Sequence, residues 1–121
     1  MKLLIVDDSN IIRSRIARAM SDPRLQSLTI VGMAKNGVEA LNIFRQAQPD
    51  LVTMDLTMPE MDGVECTETM VGLNPDVGIL VVSALSDKAT AILALKKGAK
   101  GFIYKPFTDK QLIEAFLEMV N

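Results

Sequence analysis

Short apolar runs alternate with amphipathic stretches along the whole chain. Residues 3–6 (Leu-Leu-Ile-Val) have the length of a strand and stop at Asp7-Asp8. Ser9 and Asn10, both good helix N-caps, precede apolar positions at Ile11-Ile12, Ile16 and Ala19-Met20, with Arg13, Arg15 and Arg18 largely off that stripe. Ser21-Asp22-Pro23 ends this helix, and a second strand is predicted over residues 28–33, β-branched at Thr29, Ile30 and Val31. Asn36-Gly37 turns the chain into a helix with Val38, Leu41 and Phe44 inward. After Pro49-Asp50, Leu51 to Met54 runs straight into the carboxylate of Asp55, and the turn residues Pro59 and Gly63 follow. A third helix carries Val64, Met70, Val71 and Leu73 and closes at Asn74-Pro75. A strand over 79–82 ends at Ser83-Ala84. Asp87 is placed to cap a helix over 88–97 that stops at Gly98. Residues 102–104 make a last brief strand before Lys105-Pro106, and Thr108 or Asp109 caps a final helix running to about Val120.

Strand followed by helix, five times over, predicts an α/β fold: a doubly wound (βα)5 parallel sheet with helices on both faces. Right-handed crossovers bring all five strand C-termini to one edge, where open α/β sheets bind their ligands. That edge collects Asp7, Asp8, Asp55, Ser83 and Lys105. The length of 121 residues suits one domain, 1–121, and no repeat or linker interrupts it.

Composition narrows the chemistry. There is no histidine, which excludes Ser-His, Cys-His and His-metal chemistry originating in this chain. Without Trp and with only five Phe and Tyr, the core must be aliphatic, eight Met filling its gaps. A net charge of −2 without a Lys/Arg cluster gives no support for nucleic-acid binding. The single cysteine, Cys66, fits a reducing, cytoplasmic compartment, and no apolar run approaches a signal-peptide core or a membrane span.

Each polar strand end has an ordinary reading by itself. Asp7-Asp8 can start a helix, Asp55 can break a strand, and Lys105 can be a solvated lysine before a helix-initiating proline. Jointly they are hard to explain that way, because clustered carboxylates push one another's pKa upward unless a cation sits among them. A hard divalent ion such as Mg²⁺, or Mn²⁺, suits two carboxylates and a backbone carbonyl. Beside such an ion Asp55 is a plausible nucleophile towards phosphorus, with Lys105 and the Ser83 hydroxyl meeting the charge on a phosphoryl group.

In this arrangement the chain resembles the receiver domain of two-component response regulators over essentially its whole length. The matching pieces are Ile5-Val6-Asp7-Asp8, Asp50-Leu51-Val52 leading to Asp55, Met58-Pro59-Glu60-Met61-Asp62-Gly63, Ser83-Ala84, Gly98-Ala99 and Lys105-Pro106-Phe107. The resemblance implies strand order 2-1-3-4-5, as in flavodoxin-like folds. It implies Asp55 as phosphoacceptor, and a metal held by Asp8, Asp55, the backbone carbonyl of Thr57 and, through water, Asp7. Lys105 becomes the phosphoryl-contacting lysine, its bond to Pro106 cis. Ser83 becomes the switch hydroxyl, and Phe102, three residues before the lysine, the switch aromatic. Phe102 lacks the hydroxyl of a tyrosine, so its switching would be a rotamer change. Thr57 and Leu85 occupy flanking positions that in this family influence the lifetime of the phosphoryl group.

Signalling would run from Asp55 through Ser83 and Ala84 to the fourth helix, the fifth strand and the fifth helix. On the fourth helix Ile92, Leu95 and Ala99 are expected inward, and Leu93, about 100° around from Ile92, either reaches the surface near the output face or sits at the core margin. The phosphoryl donor would be a sensor histidine kinase, a histidine phosphotransfer protein or a small acyl phosphate. The output would be an effector protein, as in chemotaxis, or a C-terminal domain of a longer regulator. The loop 22–28 is longer than the family leads one to expect, and no function attaches to it.

Three other readings compete. A haloacid-dehalogenase-type phosphatase needs an acid two residues after its nucleophile, where this chain has Thr57, and no cap domain fits in this length. A docking module that is never phosphorylated would be expected to lack some of Asp7, Asp8, Asp55, Ser83 and Lys105. A flavin-binding protein of similar topology needs a Ser/Thr-rich phosphate loop after its first strand, where Asp7-Asp8 would repel the phosphate.

Overall fold

The computed structural model describes residues 1–58 and 61–120, with every side chain except that of Leu85. Five strands, β1 (Lys2–Val6), β2 (Thr29–Ala34), β3 (Leu51–Asp55), β4 (Gly78–Ala84) and β5 (Gly101–Lys105), form one sheet. All pair in parallel, in the order β2-β1-β3-β4-β5. The helices between and after them are α1 (Asn10–Ala19), α2 (Gly37–Ala47), α3 (Gly63–Leu73), α4 (Lys88–Lys96) and α5 (Asp109–Val120). The doubly wound fold and its order are as expected.

The alternation of side chains along each strand splits the core in two. Leu3 and Ile5 join Ile16, Leu80, Leu112 and Phe116 beneath α1 and α5. Leu4 and Val6 join Phe44, Val52, Met70 and Ile79 beneath α2, α3 and α4. β3 is buried at all five positions, as a central strand covered on both faces must be.

Local chemistry fixes the helix starts. Ser9 Oγ accepts from the Ile12 amide at 3.3 Å, Asn36 Oδ1 from Glu39 at 2.8 Å and Asp62 Oδ1 from Glu65 at 2.8 Å. At α5 the cap is Thr108: its Oγ1 accepts from the Gln111 amide at 3.1 Å, and Gln111 Oε1 accepts from the Thr108 amide at 2.9 Å, a reciprocal capping box. Asp87 precedes α4 but makes no side-chain capping bond, because a 3-10 turn over Leu85–Asp87 leads into that helix instead.

Several apolar residues of the predicted helices, Val38 and Ile92 among those expected inward, face solvent. Ile11 (79% exposed) and Val38 lie in the first turns of α1 and α2, at the rim of the sheet where no layer covers them. Leu73, at the end of α3, is also exposed. On α4 the buried stripe is Ala91 and Ala94, with Leu95 half-buried and Ile92 exposed; Ala99 is buried just past the end of the helix. Position 92 is rotated about 100° from position 91, which carries it off the alanine face. The loop after α1 contains a 3-10 turn (Pro23–Leu25) whose Leu25, with Leu28, is buried among the α1–α5 core residues.

Candidate functional site

The C-terminal edge of the sheet brings the predicted polar residues to one place. Asp55 closes β3 and is 1% exposed, Asp7 follows β1 and is equally buried, and Asp8 is exposed. One carboxylate oxygen from each of the three lies within 4.8 Å of the others. Lys105, the last residue of β5, reaches both buried carboxylates: its Nζ stands 3.1 Å from Asp7 Oδ2 and 3.3 Å from Asp55 Oδ1. The Lys105–Pro106 bond is cis, as expected.

The two oxygens of Asp55 are treated differently. Oδ1 has the Lys105 ammonium, the Thr57 amide at 3.2 Å and the Thr57 hydroxyl at 3.4 Å. Oδ2 is buried and has no partner. An unpartnered buried carboxylate oxygen is costly, and its free lone pairs are what a metal ion or an incoming electrophile would use. Asp7 Oδ1 accepts from the Ser9 amide at 2.9 Å. Its Oδ2 has the ammonium nearby but no bond of hydrogen-bond geometry.

Burial pushes the Asp55 carboxyl up to about 6, the charge of Asp7 pushes in the same direction, and Lys105 and the Thr57 amide only partly oppose them. Burial also works against the Lys105 ammonium, but the negative charges of Asp55 and Asp7 outweigh it and hold its pKa above the ordinary lysine value. The cluster thus holds more negative charge than one lysine neutralises, and its donors are hard oxygens. That fits Mg²⁺ or Mn²⁺.

The remaining predicted residues are less tightly joined. Ser83 is buried at the end of β4, yet its hydroxyl donates to the Ala84 carbonyl at 3.2 Å. Among the described residues it makes no hydrogen bond to Asp55 or Lys105. Ala84 is half-buried and pairs with Lys105 across β4 and β5. Phe102 is 40% exposed on the edge strand, its ring 5.3 Å from that of Tyr104 in an edge-to-face contact. Leu93 does reach the surface, at 45% exposure, where it lines a groove between α3 and α4. Pro59 and Glu60 of the turn motif, and the side chain of Leu85, lie outside the described residues.

Two supporting residues carry roles that the pattern does not reveal. The helical spacing assigns Arg13 to a solvated face, but its guanidinium donates to the Asp7 carbonyl at 2.7 Å and to Asn10 Oδ1 at 3.3 Å. It therefore anchors the loop that carries Asp7 and Asp8. Gly63 reads as turn punctuation, whereas it lets α3 start against the backbone of the acceptor strand: a Cβ there would lie 2.2 Å from the Asp55 carbonyl oxygen.

Cys66 stands apart from this chemistry. It is fully buried on α3, and burial, with the charges of Glu65 and Asp62, pushes its thiol up to about 12. Since only the thiolate is nucleophilic, maleimide at neutral pH is expected to leave the native protein unlabelled and to react fully once urea unfolds it. Rapid labelling of the native protein, followed by mass spectrometry, would contradict this burial.

The sequence profile described as the response regulator receiver domain matches residues 3–117. The chemotaxis protein CheY of Listeria monocytogenes is 39% identical over 115 residues, covering 95% of this chain and 94% of that protein. CheY of Thermotoga maritima is 38% identical, covering 94% of this chain and 92% of that one. Among solved structures, the CheX-CheY-BeF3-Mg²⁺ complex from Borrelia burgdorferi contains a chain superposing with a TM-score of 0.91 at 28% identity, over 100% of this chain and 90% of that one.

Proposed function

Because the chain belongs to the response regulator receiver domain family, we propose that it is a phosphoacceptor switch whose Asp55 takes a phosphoryl group from a phosphohistidine on a partner protein. Receiver domains are signalling domains rather than enzymes turning over an external substrate. The observation that carries the proposal is Asp55 itself: a buried carboxylate with Oδ1 tethered by Lys105 and Thr57, and Oδ2 uncommitted.

Asp8, Asp55 and the Thr57 carbonyl would hold Mg²⁺ or Mn²⁺, with Asp7 reaching it through water. When bound, the ion supplies charge neutralisation for the reacting oxygens. The chain's own residues do the rest. An Asp55 carboxylate oxygen attacks phosphorus, the bond to the donor's imidazole nitrogen breaks, and that nitrogen keeps the electron pair. Lys105, already within 3.3 Å of Asp55, offers its ammonium to the arriving phosphoryl oxygens. Arg13 and the Ser9 amide keep the acidic loop in place meanwhile.

The Ser83 hydroxyl, held at present by the Ala84 carbonyl, belongs to the residue after Val82, the β4 partner of Asp55, and would turn towards a phosphorylated Asp55. That exchange would shift β4 and α4 between two arrangements, and Phe102 would change rotamer on β5. The face of α4, β5 and α5 then presents a different surface to an effector, either a separate protein, as the chemotaxis relatives suggest, or an output domain. We assign residues 1–121 to a single receiver domain acting in the cytoplasm. Among the described residues no helix is long and apolar enough to cross a membrane.

Incubation with acetyl phosphate and intact-mass analysis tests this reading. One phosphoryl adduct is expected with Mg²⁺ and none with EDTA. Lys105→Ala should slow its formation at least tenfold by removing the cation that meets the phosphoryl charge. Steady release of phosphate at high turnover, or no adduct where a control receiver is labelled, would refute the proposal.

A further inference from the structure

We propose that the groove between α3 and α4 docks a basic amphipathic segment of a partner protein, with an apolar side chain on its floor and Lys or Arg on its rim. The groove has a volume of about 440 Å³, and its floor is apolar, built from Leu56, Val64 and Leu93. Leu56 is almost fully buried, while Leu93 is 45% exposed although it is a large aliphatic residue. The rim is acidic: Asp62, Glu65 and Glu68 all come from α3 or its cap. Among the described residues that line the groove the one cation is Lys97, whose Nζ is 2.7 Å from Glu68 Oε2. Among the described residues neither Asp62 nor Glu65 forms an ion pair, so the rim carries a net negative charge that nothing in the fold neutralises.

That combination selects the occupant. An apolar floor with charges along one wall is the arrangement that receives an amphipathic helix. The sign of the rim requires the partner to be basic. A second copy of this chain seated groove to groove would bring the two acidic rims together, and an anionic lipid surface would be repelled. The Lys97–Glu68 pair acts as a latch, since an arriving cation can replace Lys97 at Glu68. The floor is also continuous with the acceptor strand, because Leu56 follows Asp55 directly. An occupant there would touch the acceptor loop from the side of α3, away from the β5–α5 groove that Phe102 and Tyr104 line. The proposal does not depend on phosphorylation, for the groove is formed in the unmodified chain.

The test is an NMR titration of the isotope-labelled full chain, unphosphorylated, with a synthetic amphipathic peptide of Leu and Lys, and with its counterpart carrying Glu for Lys. The Lys peptide is expected to shift the amides of Leu56, Val64, Glu65, Leu93 and Lys97, and the Glu peptide to leave them unmoved. Glu65→Lys and Leu93→Ser should each weaken binding about tenfold, Lys97→Ala should tighten it severalfold, and Ile92→Ser should change nothing. Should Leu93→Ser fail to fold, Glu65→Lys carries the test alone. Equal binding of both peptides would overturn the proposal. So would shifts centred on Phe102, Glu114 and Glu118, equal losses from Ile92→Ser and Leu93→Ser, or no shift at all.

Discussion

Gly63→Ala is expected to destabilise the protein by several kcal/mol and to abolish modification of Asp55, although it adds one methyl group. A Cβ at this position would lie 2.2 Å from the Asp55 carbonyl oxygen and 2.6 Å from the Leu56 Cα. These are backbone atoms and cannot rotate away, so either the first turn of α3 lifts from the end of β3 or the acceptor loop deforms. The Gly63 amide also donates to the Leu56 carbonyl at 3.1 Å, and that bond would be lost with the close approach. Overpacking of this kind typically costs about 1–3 kcal/mol where side chains can adjust, and more where they cannot. Gly72, in the same helix, is the natural control: nothing lies within 4 Å of a Cβ built there. Gly72→Ala should therefore stabilise by roughly 0.5–1 kcal/mol through backbone entropy. Urea denaturation of both variants checks the pair, and a Gly63→Ala protein as stable as wild type would show that helix and strand are not so tightly apposed.

Asp55→Asn should make the metal-free protein more stable, by up to about 3 kcal/mol at neutral pH. The folded-state pKa of about 6 lies above the ordinary carboxyl value of 3.8. Between those values the folded state binds more protons than the unfolded one, so stability falls as pH rises from about 4 to about 6. Above 6 the whole cost of holding the buried charge beside Asp7 is present, and the gap between the two pKa values corresponds to about 3 kcal/mol. Asparagine keeps the shape and removes the charge. Its advantage over wild type should be absent near pH 4, grow through pH 6 and then level off. Mg²⁺ should shrink the advantage, since an ion held by Asp8 and Asp55 stabilises wild type more than the variant. Thermal unfolding across this pH range, with EDTA and with Mg²⁺, is the measurement. A wild type more stable than the variant in EDTA at pH 7 would mean that Lys105 already compensates the charge.

Much of the site was legible in the sequence because its parts are placed by topology. Once β1, β3, β4 and β5 are recognised as parallel, Asp7, Asp55, Ser83 and Lys105 must share an edge, and the structure brings Asp7, Asp55 and Lys105 within ion-pair distance. What stayed hidden depends on distances that periodicity does not encode. Arg13 has the spacing of a solvated residue, and only the path of the loop before α1 puts the Asp7 carbonyl within its reach. Gly63 resembles any turn glycine until the approach of α3 to Asp55 is seen. The exposure of Ile11, Val38 and Ile92 has the same origin, since a helical repeat locates a stripe but not the ends or edges that the neighbouring layer fails to cover. Ser83 shows a further limit: its strand placement is as predicted, while its hydroxyl bonds to Ala84, a rotamer choice no pattern specifies.

In the proposed function Asp55 carries the phosphoryl group. The most direct test is borohydride reduction of the acetyl phosphate-treated, Mg²⁺-loaded protein, followed by peptide mass mapping. Hydride converts an aspartyl phosphate to homoserine with release of phosphate, which marks the acceptor permanently. Homoserine at position 55, absent without Mg²⁺ and absent in Asp55→Asn, is the predicted result. Homoserine at Asp7 or Asp8, or an adduct that survives in Asp55→Asn, would contradict it.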